Sequence, residues 1–397
     1  MKSLKSLKSQ ITMMIIVGLV LFILVGIVLY ISKSTIKKTT QQGAKITQSA
    51  AFDTQPIKEF VSKCQDKLAK EAINLIGKQG GNIYRSQGGE LIDYSDSDQG
   101  MFFVMYEGNR VAYNIKQLPL LSVPSFFSSP PEYPWISFPY SIVDPNLKTF
   151  DGIFGLSNMP PLNASQGPHS IQSQVESYID NKMESCADLN SFINEGYDIT
   201  VNKSKTTVTL ASSDVRIKTS MPIEIKNRAT SEQTYIDALS TAVNVRLGDM
   251  HSFAKNIVYN DVTNIKFNLR DVGNNENSFR INVLDDVFSK DDIVIITDDK
   301  SQISGKQFEY KFARKNRRPA LYYISPDYLQ LAGGTQITKN TLLNGMDLQA
   351  EDPDEDTLNF DINPAVPLVF DQPQIVFTAS VTDGQLSDFQ TITVGRT

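Results

Sequence analysis

Residues 11–31 read ITMMIIVGLVLFILVGIVLYI. These 21 residues carry no charge, and as a helix they span about 31 Å, the thickness of a bilayer's hydrocarbon core. A helix packed in a soluble core keeps a polar face, and this stretch has none. Thr12, Gly18 and Gly26 are all tolerated in lipid. The reading is a transmembrane helix at 11–31 behind a basic leader at 1–10, with the lipid bilayer as its partner. The apolar run is longer than the roughly 7–15 residues of a cleavable signal, and no small-x-small site follows it, so a retained anchor is expected. Lys2, Lys5 and Lys8 before the run are balanced by Lys33, Lys37, Lys38 and Lys45 after it, so flanking charge does not set the orientation.

Outward from this segment the composition changes in steps. Residues 32–55 are rich in Ser, Thr, Gln and Lys and read as a stalk. Pro56 suits the first position of a helix, and Ile57, Phe60, Val61, Cys64, Leu68, Ala72, Leu75 and Ile76 then recur at the helical period. Gly77 and the Gly80-Gly81 pair stop that helix. A hairpin is expected at 101–106 and 110–114 around Glu107-Gly108-Asn109. Ten of the 18 prolines fall within 118–169, interleaved with Phe126, Phe127, Tyr133, Trp135, Phe138 and Tyr140. Prolines this dense exclude helix and central strand, so an ordered surface loop with buried rings is expected; a carbohydrate- or peptide-binding platform is the alternative.

Ser170 caps a second helix that carries Val175, Tyr178, Ile179, Met183 and Cys186 on one face. A meander of short strands is expected at 197–201, 206–210, 215–219 and 223–226, then a long helix from Ser231 to about Tyr259. Further strands are read at 264–269, 279–284, 293–297 and 307–313. In the last of these Phe308, Tyr310 and Phe312 alternate with Glu309 and Lys311. Residues 56–315 thus read as one α+β domain. Beyond it, 316–397 show short alternating runs such as Phe377/Ala379/Val381, separated by Asp, Gly and Pro turns. An all-β immunoglobulin-like sandwich is expected there. Four basic residues face eleven acidic ones in this segment, a balance of −7, so it carries the whole chain's net charge of −6.

Three resemblances accompany these readings. Lys-rich residues before Ser9-Gln10 and the apolar run resemble archaeal type IV pilin-like leaders, although Met14 stands where such pilins carry Glu. The arrangement of a Cys-bearing helix, a Pro-rich loop and a second Cys-bearing helix looks like uncharacterised archaeal membrane-anchored proteins. Asn316-Arg-Arg-Pro319, Ala350-Glu-Asp-Pro-Asp-Glu-Asp-Thr-Leu358 and Val381-Thr-Asp-Gly-Gln-Leu-Ser-Asp388 resemble the cadherin-like, immunoglobulin-like repeats of prokaryotic surface proteins. The last resemblance implies an extracellular, non-catalytic module for adhesion or envelope spacing.

Candidate chemistry is sparse. Asp352, Asp354 and Asp356 alternate in one loop, and three such carboxylates can converge on calcium; a solvated acidic turn is the alternative, since the glycine and distant glutamate of an EF-hand are missing. Cys64 and Cys186 lie on apolar helix faces and can pair outside the cell; the alternative is two buried thiols. Asn163-Ala-Ser165 and Asn202-Lys-Ser204 fit the N-glycosylation triplet. His169 and His251 stand in no catalytic motif, and no nucleophile elbow, zincin helix, P-loop or dinucleotide fingerprint occurs. The acidic balance excludes a generally basic nucleic-acid binder, and Arg314, Lys315, Arg317 and Arg318 read as a solvated linker. The expectation is a single-pass envelope protein, bulk outside the cell, not an enzyme, whose partners are other envelope proteins or surface polysaccharide. A pilin-like filament subunit and a membrane-tethered hydrolase are the alternatives.

Overall fold

The computed structural model describes residues 54–117, 154–272 and 279–397. The chain opens with helix α1 (Gln55–Lys78), in which Ile57, Val61, Cys64, Leu68, Ala72 and Ile76 are buried at the helical spacing. Gly80 and Gly81, both at positive φ, turn the chain after it. Strands β1 (Phe103–Tyr106) and β2 (Asn109–Lys116) pair as a hairpin across Glu107-Gly108. A two-residue strand β3 (Leu156–Ser157) adds to β2.

Helix α2 (Ile171–Cys186) starts where Ser170 accepts the N–H of Ser173 at 3.1 Å. A short helix α3 (Asn190–Asn194) leads into β4 (Tyr197–Val201), β5 (Lys205–Leu210), β6 (Val215–Asn227) and β7 (Gln233–Val243). Helix α4 (Leu247–Thr263) precedes β8 (Phe279–Phe288), β9 (Asp291–Ile303) and β10 (Lys306–Arg314). The C-terminal part holds β11 (Ala320–Leu321), β12 (Tyr328–Leu331), β13 (Thr335–Ile337), helix α5 (Lys339–Leu343), β14 (Ala350–Glu351), β15 (Asn359–Asn363), β16 (Leu368–Phe370), β17 (Gln374–Thr382) and β18 (Ser387–Arg396).

Two sheets share α1. The first runs β1-β2-β10-β9-β8, with β10 parallel to β2 and the other pairs antiparallel. The second has β6 at its centre, paired antiparallel to β4, β5 and β7. Midway along, α1 meets the second sheet, where buried Gln65 donates to Thr219 Oγ1 at 3.0 Å and to the Leu239 carbonyl at 3.2 Å. At its end it meets the first sheet. A Cβ on Gly77 would stand 2.4 Å from the Glu309 carbonyl oxygen, so glycine there sets the approach of helix to strand. The C-terminal part is a four-stranded sheet β12-β18-β17-β15 with two short ladders, β13-β16 and β11-β14. Leu321, Ile337, Leu342, Phe370, Phe377, Val381, Ile392 and Val394 form its core.

Several expectations need correction. The expected architecture of a transmembrane helix, an α+β domain and a distinct immunoglobulin-like sandwich does not stand. Among the described residues no helix is long and apolar enough to cross a membrane. The 11–31 segment itself, with the leader and all of the stalk but Thr54 and Gln55, lies outside them. What is described is a mixed α/β assembly with many strands, and residues 54–397 form one compact unit. The strands that would make a second sandwich layer are three residues each: β13 follows Gly334 and ends where Thr338 caps α5, and β16 follows Pro367, so these two form only a short ladder.

The helix expected from Ser231 is instead strand β7 followed by a helix that begins at Leu247. Its buried residues Ile236, Leu239 and Val243 are spaced three and four apart, which imitates a helix. The cause is a bulge in β6 between Ser220 and Ile223, which shifts the pairing phase of β7. Residues 264–269 form turns, not a strand. Most of the Pro/aromatic loop, 118–153, lies outside the described residues.

Candidate functional site

Strand β10 delivers the site. Its inward residues Phe308, Tyr310 and Phe312 lead at the same period to Arg314, which is 2% exposed. The chain then leaves the first sheet through Lys315, Asn316 and Arg317 and enters the C-terminal part. Lys315 Nζ and the Asn316 N–H both reach Asp291 on β9, at 2.9 Å each, and Tyr113 on β2 donates to the same carboxylate. The basic run is therefore no solvated linker. Arg314 and Arg317 are among the most enclosed side chains of the protein.

Their partners come from four segments. Arg314 binds Asp292 at the start of β9 (2.6 Å) and Asp261 on α4 (3.2 Å). Arg317 binds Asp354 (2.7 Å) and Asp261 (2.8 Å), and its backbone N–H donates to Asp354 Oδ2 at 2.6 Å. Its remaining donors reach the carbonyls of Phe154, Asp261 and Pro353. Burial by itself would depress both guanidinium groups; the surrounding Asp354, Asp261 and Asp292 carboxylates outweigh it for Arg314, and Asp261 and Asp354 do so for Arg317, so both are held above their ordinary range.

The acidic loop divides accordingly. Asp354 is committed to the arginines. Asp352 Oδ1 accepts the N–H groups of Asp354 (2.8 Å) and Asp356 (3.1 Å), so the loop curls around its carboxylate, and Glu355 takes a left-handed φ of 66°. This curl turns Asp354 away from Asp352 and Asp356. Those two meet Asp383 instead, from the turn between β17 and β18: one carboxylate oxygen of each lies within 4.8 Å of the others. Asp383 Oδ2 accepts from Asn316 Nδ2 at 3.1 Å, and Asp356 Oδ1 accepts from Lys290 Nζ, in the β8–β9 turn, at 2.9 Å. Burial, followed by the neighbouring Asp354 and Asp356 charges, pushes Asp352 up to about 7; burial also raises Asp356 against the pull of Lys290.

Beside this group is an open polar cleft of about 420 Å³, lined by Asp352, Asp356, Glu351, Glu355, Lys266 and Asn268 among others. An all-oxygen donor set of this kind suits a hard cation. The acidic loop pointed to Asp352 and Asp356. Sequence reasoning missed Asp383 and Asn316, which it read as a turn residue and as part of a repeat signature.

The other sequence candidates lie apart from this place. Cys64 on α1 and Cys186 at the end of α2 are joined as a disulfide, with Cα atoms 5.9 Å apart. Asn163 is half-buried before a 3₁₀ turn, and Asn202 is exposed between β4 and β5. His251 is buried on α4 against the Pro160 carbonyl (2.8 Å), and burial lowers its pKa; His169 is exposed at φ 58° just before α2. In comparisons with known proteins, no family model matches this chain and no curated protein matches it significantly.

Proposed function

We propose that this chain is a non-catalytic protein of an extracytoplasmic compartment, with a binding or structural role in the cell envelope. Other envelope proteins or surface polysaccharide are the partners this reading implies. The observation that carries it is the Cys64–Cys186 disulfide, which joins two helices across 122 residues. Such bonds form and persist in oxidising compartments and are rare where thiols are kept reduced. The ionic site is read as structural: Asp261, Asp292 and Asp354 are buried and paired with arginine, an arrangement that locks segments together.

The test is the redox state of the protein in its own cells. Cells are treated with N-ethylmaleimide before lysis, and the protein is mapped by mass spectrometry without reduction. A linked peptide pair containing Cys64 and Cys186 is expected. Both cysteines recovered as alkylated thiols would overturn the assigned compartment.

A further inference from the structure

The second sheet is covered on one face and open on the other. On β6 the odd-numbered residues from Val215 to Ile225 are buried, and Thr219 among them meets Gln65 of α1. Arg216, Lys218, Ser220 and Lys226 alternate with them and are exposed. The register sets exposed residues of β5 beside them: Lys205 stands opposite Ser220, Thr207 opposite Lys218, and Thr209 opposite Arg216. On the other side of β6, strand β7 adds exposed Ala238, Ser240 and Ala242 opposite the same three β6 residues.

The two halves of this open face differ in charge. In the half beside β4, Asp198 stands opposite Lys226 and pairs with Arg228 at 2.7 Å, and Glu224 lies two residues from Lys226, so the signs balance. In the half shared by β5, β6 and β7, the register places Lys205, Lys218 and Arg216 within about 7 Å of one another in steps, with no acid between them. Arg216 has Asp214, in the β5–β6 turn, at 3.1 Å. Among the described residues Lys205 and Lys218 have no ion-pair partner. Lys203, exposed in the turn before β5, adds a further cation. Like charges at this spacing repel, and a face that serves solubility alone mixes its signs, as the other half does.

We propose that this half of the sheet binds an acidic polysaccharide; that it is one of the cell surface rests on the envelope role proposed above. Unpaired cations gathered on a chain of net charge −6 select a polyanion. What stands between them selects its class. The half-face holds no apolar side chain larger than Ala238 and Ala242, and the exposed ring of β7, Tyr235, lies opposite Glu224 in the balanced half. Lipid surfaces are held by basic residues together with Trp, Phe or Leu anchors, single-stranded nucleic acids stack on aromatic rings, and protein partners need buried aromatic or aliphatic anchors. None of these has its counterpart here. The side chains among the cations are instead the hydroxyls of Thr207, Thr209, Ser220 and Ser240, each both donor and acceptor, which match the hydroxyls of a sugar chain. Their small size keeps the face shallow, so an extended chain can cross the strands with its carboxylates on Lys205 and Lys218.

The experiment is calorimetric titration of the full chain with polygalacturonate, with dextran as the uncharged control, at about 50 and about 200 mM salt. Expected is saturable binding to polygalacturonate alone, weakened about tenfold or more at the higher salt. Lys205→Glu/Lys218→Glu is expected to weaken it at least about tenfold, and Lys226→Glu, in the balanced half, by less than about twofold. Ser240→Glu keeps every cation and sets an acid opposite Lys218; a loss of about threefold or more is expected, which keeps the test decisive if the double variant does not fold. Polygalacturonate bound no more tightly than dextran would overturn the proposal, as would unchanged affinity in either the double variant or Ser240→Glu. Tighter capture of phosphatidylglycerol vesicles or of a single-stranded oligonucleotide would overturn it too, by assigning the face to another partner. The cysteines are mapped separately, so a failure of binding and a failure of the assigned compartment are told apart.

Discussion

Replacing Arg317 with methionine is the most direct trial of the ionic cluster. The guanidinium is 2% exposed and holds Asp354 through Nε and Nη2, Asp261 at 2.8 Å, and three backbone carbonyls. Methionine fills much of the same volume and supplies no donor. Asp354 then keeps Arg314, at 3.4 Å, and the carbonyls of Phe154 and Pro353 lose their side-chain donor. Removing one partner of a buried ion pair costs about 3–5 kcal/mol, because the charge left behind is not resolvated. For a unit of about 340 residues the unfolding entropy is near 0.7 kcal/mol per kelvin, so Arg317→Met is expected to lower Tm by about 4–7 °C. Differential scanning calorimetry measures this. The double variant Arg317→Met/Asp354→Leu removes both charges and is expected to recover at least half of the loss. A single variant within about 1 °C of the parent would refute the cluster as the junction's support, and so would a double variant that simply adds two losses.

Three further outcomes follow from the same physics. Reducing the Cys64–Cys186 bond, or making Cys64→Ala/Cys186→Ala, releases a loop of 122 residues; the chain-entropy relation gives about 5 kcal/mol, so a Tm fall of about 7 °C is expected in melting curves run with and without reductant. The raised Asp352 carboxyl makes stability depend on pH in a defined sense. The folded state binds this proton more tightly than the unfolded chain, so the contribution is fully present below pH 3.8 and is lost as pH rises through about 7. Relative to Asp352→Asn, the parent should lose up to about 4 kcal/mol across that window, read as a Tm difference that grows with pH. Gly77→Ala puts a methyl group 2.4 Å from the Glu309 carbonyl; a destabilisation of at least about 1–3 kcal/mol is expected in denaturant melts, whereas Gly108→Ala, with nothing within 4 Å of its Cβ, should show only the backbone cost of its positive φ.

What the sequence revealed and what it hid divide along the range of the forces involved. The two Cys-bearing helices were legible because their apolar residues recur at one period without interruption, from Ile57 to Ile76 and from Val175 to Met183. The hairpin of β1 and β2 was legible because Glu107-Gly108-Asn109 punctuates two apolar runs. Strand β7 was not. Its burial period is set by an irregularity in a different strand, and the Ser220–Ile223 bulge cannot be seen from residues 233–243 alone. The separate sandwich failed for a related reason: whether alternating strands close into two layers depends on what covers them, and here an ionic cluster joins their first segment to the preceding sheet.

The site was half legible, and the missing half has one cause. Alternation within 352–356 suggested that three carboxylates face one way, as they would on an extended strand. Asp352 defeats this by accepting the N–H groups of Asp354 and Asp356, which closes the segment into a turn and rotates Asp354 toward the arginines. Periodicity of another strand held the correcting signal. Phe308, Tyr310 and Phe312 point inward, and carrying that period two residues further puts Arg314 inside. A buried guanidinium demands carboxylates, and the acidic loop is where this chain has them in excess. The arginine-rich stretch and the aspartate-rich loop, read separately as a solvated linker and as a metal loop, are the two sides of one desolvated junction. Each accounts for the position of the other: the arginines take Asp354, and Asp352 and Asp356 are left to meet Asp383.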